Sequence, residues 1–466
     1  MLRTRISGAA LLAVAALLAV AALLAPSAPA WAEARSPGSS GVGDPYFPHA
    51  GNGGYDVQHY DLKLRYTPKS GEIDSTATIT ATATKSLSRF NLDLSGLKVR
   101  SVTVNGTKAK WSRKGQELTV TPKKGIADDA DFKVVVDYDG RPKPVRDDLG
   151  VTGFIHTKDG AVVVSQPDGA RTWFPANDTP RDKATFSYEI SAPVGLTVLA
   201  NGEPQNGGIV RVKKGYVVSR WAMKQPMAPY LAMIAIGKYK VTDGTAAGVP
   251  NITAYDPSLA KTSKHLHQET AEATKWGIEH FGPYPFGSTG GIADKLDVHY
   301  ALETQGRPVY DGDASDDLLI VHEIAHQWFG NSVGLESWND IWLNEGLASY
   351  AEWLYEETHN GPSAQSTFDK YYKSKGAFWD VKTGAPGKKN MFDFEAIYLR
   401  GAMTVHALRT EIGDEPFFAL LKEWPVRYKH ATADTRDFIA LAEELSGKDL
   451  GPLFKKWLYV AKKPSL

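Results

Sequence analysis

No cysteine occurs in the chain. Disulfides are therefore excluded, and so is a lipid-anchored cysteine. A protein built without them is stable through packing and bound metal. There is no excess charge of either sign: Lys and Arg number 53, and so do Asp and Glu. A nucleic-acid binder would normally show a basic excess, so none is expected here. Long charge runs and internal repeats are also missing. What remains is ordinary globular material: 466 residues, 42% hydrophobic and 11% aromatic. That length supports two or more domains with their own cores.

The first residues differ from the rest. Arg3 and Arg5 precede an apolar run from Ala9 to Ala25, and Ala30-Trp31-Ala32 offers a cleavage signal. This pattern predicts a secretory signal peptide over 1–32. The run is short and Ala-rich for a membrane span. A secreted protein, free of the membrane after cleavage, is expected. Residues 33–44, rich in Gly, Ser and Pro, read as a flexible lead-in.

From 45 to 245 the pattern is β. YDLKLRY, TATITATAT, SVTVNGT, ELTVTP and FKVVVDYDG alternate apolar and polar residues between turn signals. That predicts antiparallel sheets in a sandwich. From 246 to 466 the pattern is mixed and mostly helical. LAKTSKHLHQETAEATKWGIEHF is an amphipathic helix stopped by Gly282-Pro283, KLDVHYALE reads as a short strand, and helices follow from Asp316 onward. The fold class is a multidomain α+β chain, a β-sandwich followed by a helical domain.

Within VHEIAHQWFG, His322 and His326 stand four residues apart with Glu323 beside the first. On a helix, i and i+4 share a face, so both rings can reach one ion. Zinc accepts imidazole and carboxylate, and a catalytic site leaves one position for water. A third ligand is sought by type and placement. Glu345 opens the helix WLNEGLASYAEWL, with eighteen residues between it and His326. The gap allows a loop and the return of a neighbouring helix. One Zn2+ per chain is expected on His322, His326 and Glu345. Glu323 projects beside it as a general base.

HEIAHQWFGN with NEG downstream resembles the gluzincins, and within them the M1 zinc aminopeptidases. SQPDGARTWFPANDTPRDKATFSYEI, YDVQHYDLKL, FGPYPF and WNDIWLNEGLASY fit the same family, as does IYLRGAM with Arg400 in place of a lysine. The resemblance runs from about Tyr46 to the end. It implies a thermolysin-like catalytic domain at 246–466. It also implies a short form without the C-terminal helical domain of larger members. Family members carry G-x-M-E-N before the zinc helix, whereas this chain has ALETQ, Ala301 to Gln305.

The remaining roles follow from that resemblance. Tyr398 matches the tyrosine that donates to the oxyanion. Glu303 matches the acid that binds the substrate's α-ammonium, with Gln166 from the β domain near the same amine. Ala301 and Leu302 occupy the substrate-binding part of the motif. The implied protein is a monomeric zinc aminopeptidase acting on peptides with a free N-terminus. A thermolysin-like endopeptidase and a catalytically inactive peptide-binding homologue are the alternatives. DGDASDD, Asp311 to Asp317, reads as a loop capping the zinc helix rather than as a calcium loop. His265 and His267 read as surface residues, and His299 and His406 as packing residues.

Overall fold

A computed structural model describes residues 35–205, 211–213, 215–312 and 314–466. The expected signal peptide lies outside the described residues. The alternating segments form strands with one buried face. In β1 (Tyr55–Thr67), Tyr60, Leu62, Leu64 and Tyr66 are buried and their neighbours less so. With β2 (Glu72–Ala83), β3 (Lys98–Val104), β4 (Asp131–Gly140), β5 (Ala184–Pro193) and β6 (Tyr216–Met227), it forms a large sheet in the order β6-β5-β1-β2-β4-β3.

Within this sheet one pair departs from the antiparallel expectation: β5 runs parallel to β1. Residues 68–183 lie between them and supply the crossover that parallel strands need. Two smaller sheets share the core. Phe90 packs on Tyr55 and Phe132 at 5.8 and 5.2 Å between ring centroids, and Phe154 packs on Tyr66 at 6.0 Å. The stretch expected as a flexible lead-in is held where it is described. Ser36–Pro37 pairs with Leu87 and Arg89, and the buried Asp44 carboxylate accepts from the Trp338 N–H at 2.9 Å. That bond ties the start of the β half to the helical half.

The second half carries its own sheet. Its strands are β7 (Lys240–Ala246), β8 (Val249–Tyr255), β9 (Thr289–Asp294), β10 (Ala301–Leu302) and β11 (Val309–Asp311), ordered β7-β8-β9-β11-β10. Of the expected strand KLDVHYALE, only β10 is extended. Asp297 and His299 adopt left-handed φ of 58° and 67°, which ends any strand there.

The helices of this half include α1 (Leu266–Phe281), α2 (Asp317–Ala325), α3 (Trp342–Thr358), α4 (Arg400–Ile412) and α5 (Asp414–Arg427). The helix expected from Leu259 breaks after Ala260–Ser263, restarts as α1, and stops at Gly282 with φ 93°. Gly277 on α1 admits the Trp328 ring, since a Cβ there would meet it at 2.7 Å. The Trp328 indole donates to the Gly282 and Pro283 carbonyls, both at 3.1 Å. This contact fixes the chain leaving α2. Arg307, fully buried, donates to Ile252 O at 3.1 Å and to Gly202 O at 3.2 Å, joining the two halves behind the cleft. No described helix is long and apolar enough to cross a membrane.

Candidate active site

Asp316 begins the site. Its carboxylate accepts from the Leu318 and Leu319 N–H groups at 3.0 and 3.4 Å and caps α2, the role expected of that loop. The helix is shorter than the sequence suggests. It ends at Ala325, and His326 is its C-cap with φ −56° and ψ −23°. Those angles are still helical, so the i, i+4 relation to His322 persists.

His322 and His326 bring their Nε2 atoms within 3.1 Å of each other, and Glu345 Oε2 lies 3.3 Å from each. All three residues are buried. The other ring nitrogens are engaged. His322 Nδ1 donates to Glu352 Oε1 at 2.6 Å, and His326 Nδ1 donates to Phe329 O at 3.0 Å. A carboxylate and a carbonyl can only accept, so both hydrogens sit on Nδ1 and both Nε2 lone pairs face inward. Two lone pairs and a carboxylate converging in a dry pocket repel unless a cation joins them. Tetrahedral zinc, with ligands about 2.0–2.1 Å away, spaces its donors by about 3.3 Å. The group could therefore hold a metal ion of that size.

Glu323 is buried beside these donors, and among the described residues its Oε2 has no hydrogen-bond partner. Burial, reinforced by Glu303 and Glu345, pushes it up to about 8 against the pull of His322 and His326. Burial also opposes ionisation of Glu345, but His326 and His322 outweigh it and hold that carboxyl near 2. Burial lowers the histidines, yet the surrounding carboxylates raise both, His326 to about 9. The field at the donors favours positive charge.

Glu303 stands next to this cluster. Its carboxylate, Glu323 and His326 offer atoms within 4.8 Å of one another. Gln166 Nε2 donates to Glu303 Oε1 at 3.0 Å across the two halves. The Glu303 backbone carbonyl accepts from Gln327 at 3.2 Å and from Asn331 at 2.6 Å, so the residues just after α2 anchor it. Tyr398 stacks on His322, with centroids 6.0 Å apart and planes 21° apart. It sits on a π-helical turn, Phe394–Leu399, that runs into α4. Such turns concentrate at functional sites because they redirect a side chain. Gly346 and Gly401 let α3 and α4 touch backbone to backbone. This contact carries Glu345 and Tyr398 to the same cleft.

The metal donors, Glu323, Glu303, Gln166, Ala301 and Tyr398 line one cavity of about 400 Å³. Leu302 does not line it. Its side chain is fully buried in the core, because neighbours on a strand face opposite ways. His299 is not a packing residue: its side chain is 85% exposed. His406 is buried between Tyr350 and Gln365.

Sequence reasoning missed Glu352, although it lies two helical turns after Glu345 on the same face. It also missed Phe394 and Tyr300, for which no local pattern signalled a place at the cleft.

Two family models cover most of the chain. The Peptidase M1 N-terminal domain matches residues 56–231, and the Peptidase family M1 domain matches 311–457. The chain belongs to the M1 peptidase family. Aminopeptidase N of Streptomyces lividans is 25% identical over 446 residues, covering 87% of this chain and 50% of that protein. Tricorn protease-interacting factor F2 of Thermoplasma acidophilum is 25% identical, covering 79% of this chain and 49% of the relative. The chain thus spans about half the length of these relatives. An M1 zinc metallopeptidase from Deinococcus radiodurans has a similar structure, with a TM-score of 0.83 at 28% identity. That match covers 91% of this chain and 98% of the other. A mutant of that metallopeptidase bound to a Tyr-Ser-Ala substrate superposes with a TM-score of 0.84 at 27% identity.

Proposed function

We propose that this M1 protein is a secreted, monomeric, zinc-dependent aminopeptidase that removes the first residue of peptides. The observation that carries the reading is Glu303. An acid held by Gln166 and placed beside Glu323 and the metal donors is suited to a free α-ammonium. An internal peptide bond has no ammonium to satisfy that charge.

His322, His326 and Glu345 would hold the zinc. When bound there, it acidifies water and polarises the scissile carbonyl. The protein's own groups do the rest. Glu303 and Gln166 fix the substrate's N-terminus, which sets the first peptide bond against Glu323. Glu323 takes the proton of the attacking water and returns it to the leaving amine. The Tyr398 phenol donates a hydrogen bond to the carbonyl oxygen as charge builds on it. Burial holds that phenol well above the ordinary tyrosine range, so it stays a donor at neutral pH. Glu352 and the Phe329 carbonyl keep the two imidazoles in the ligating tautomer. The relatives named aminopeptidases, and the metallopeptidase bound to Tyr-Ser-Ala, support a peptide substrate. Secretion rests on the N-terminal sequence alone.

The test uses a fluorogenic leucyl amide and its N-acetyl counterpart, each with and without a zinc chelator. Only the free-amine substrate should be cleaved, and the chelator should stop it. Equal cleavage of both would replace this reading with an endopeptidase.

A further inference from the structure

A second cavity, of about 370 Å³, opens off the metal cleft and shares Gln166, Tyr300, Ala301, Phe394 and Tyr398 with it. Leu149, Val151, Val298, Phe392 and Phe394 give it apolar walls. Asp147 and His299 lie exposed at the lip. One wall is Val298, His299 and Tyr300, and the segment 296–300 that carries them has no regular structure of its own.

Asp311 holds it. Its Oδ1 accepts from the Leu296 and Asp297 N–H groups at 2.7 and 3.2 Å. Its Oδ2 accepts from Val298 and His299, both at 2.7 Å. Four backbone donors thus converge on one carboxylate. Burial raises the Asp311 carboxyl, but these bonds outweigh it and hold it below its ordinary value. Asp297 and His299 take left-handed conformations that side chains disfavour. Such conformations persist only where their surroundings impose them, and here the carboxylate does so. At the far end of the wall, the Tyr300 hydroxyl donates to Val151 O at 2.7 Å, on the β-half side of the same cavity. Asp311 itself does not line the cavity.

We propose that Asp311 is a positioning residue: by clamping the 296–299 backbone, it sets the shape of this cavity and with it a preference for substrates whose first residue is large and apolar. The inference rests on the aminopeptidase reading, because the cavity adjoins Gln166, which bonds the residue assigned to the substrate amine. Asparagine at 311 would keep one accepting oxygen and set an NH2 group against two N–H donors. Alanine would remove the clamp.

The experiment compares wild type, Asp311→Asn and Asp311→Ala on leucyl, phenylalanyl and alanyl coumarin amides, free and N-acetylated. Zinc content and amide hydrogen exchange over 296–299 are measured beside them. Wild type should prefer the leucyl and phenylalanyl amides. In both variants exchange should accelerate, and KM for the large substrates should rise about ten-fold. Their kcat, and both constants for the alanyl amide, should stay within about two-fold. Zinc content should not change. Equal losses on all three substrates would mean general damage and overturn the proposal. Faster exchange with unchanged selectivity would also overturn it, as would a wild type that prefers the alanyl amide. Calorimetric binding of L-leucinamide against L-alaninamide reads the same selectivity without turnover. Cleavage of acetylated substrates would therefore sink the aminopeptidase reading while these ratios still judge Asp311.

Discussion

Gly401→Ala should damage the proposed activity from outside the cleft. A Cβ on Gly401 falls 2.8 Å from Gly346 Cα, and one on Gly346 falls 2.9 Å from Gly401 Cα. Carbon atoms in comfortable contact stand about 3.5–4.0 Å apart, so α3 and α4 must part by about 1 Å. Overpacking of this kind costs about 1–3 kcal/mol. Against it, alanine is better than glycine inside a helix by about 1 kcal/mol. The net expectation is a loss of up to about 2 kcal/mol. Without the backbone contact, the same substitution would stabilise, so the sign of the change is diagnostic. Function should suffer more than stability. Glu345 precedes Gly346, and Tyr398 lies three residues before Gly401. Parting the helices separates a metal donor from the phenol, and a 1 Å displacement can cost about 100-fold in rate. The assay is thermal unfolding together with kcat and KM on a leucyl amide. A variant as stable and as active as wild type, or more so, would refute the argument.

Glu323→Gln should retain zinc and fold normally yet lose at least about 100-fold in kcat, measured with metal content on the same sample. Glu352→Gln should weaken zinc binding about 10- to 100-fold in a chelator competition, because the His322 Nδ1–H loses its charged acceptor. Acid should destabilise the fold through His406. Burial, helped by Arg409, lowers it to about 4 from an ordinary 6.5. Below pH 6.5 the unfolded chain binds the proton first, so stability is lost progressively as pH falls from 6.5 toward 4. His406→Gln, referenced to its own value at neutral pH, should show a smaller fall in melting temperature over that window. An identical fall would remove His406 from the account.

The convergence of three donors that could hold a metal was legible because metal chemistry asks for both residue type and spacing. His322, His326 and Glu345 could be named from helical geometry and the start of a second helix. The alternation in YDLKLRY likewise exposed a half-buried strand. Other parts were hidden because long-range contacts decide them. Glu352 reads as one more solvated acid until His322 is placed against it. The strand Thr289–Asp294 holds two glycines, and a Cβ on Gly290 would lie 2.0 Å from Ile252 O. Strand propensity argues against such a segment, and only the neighbouring backbone explains it. KLDVHYALE alternates well enough for a strand, but Asp311 curls its first half into a loop. Leu302 and Ala301 look equivalent in the motif, and the pleat separates them.

The most direct measurement is a product ladder. A defined seven-residue peptide with leucine first, and the same peptide N-acetylated, are incubated with the zinc-loaded protein and followed by mass spectrometry. The account predicts stepwise loss of residues from the free N-terminus, no cleavage of the acetylated peptide, and collapse of that discrimination in Glu303→Gln. Internal cleavage of both peptides, or discrimination untouched by the Glu303 substitution, would contradict it.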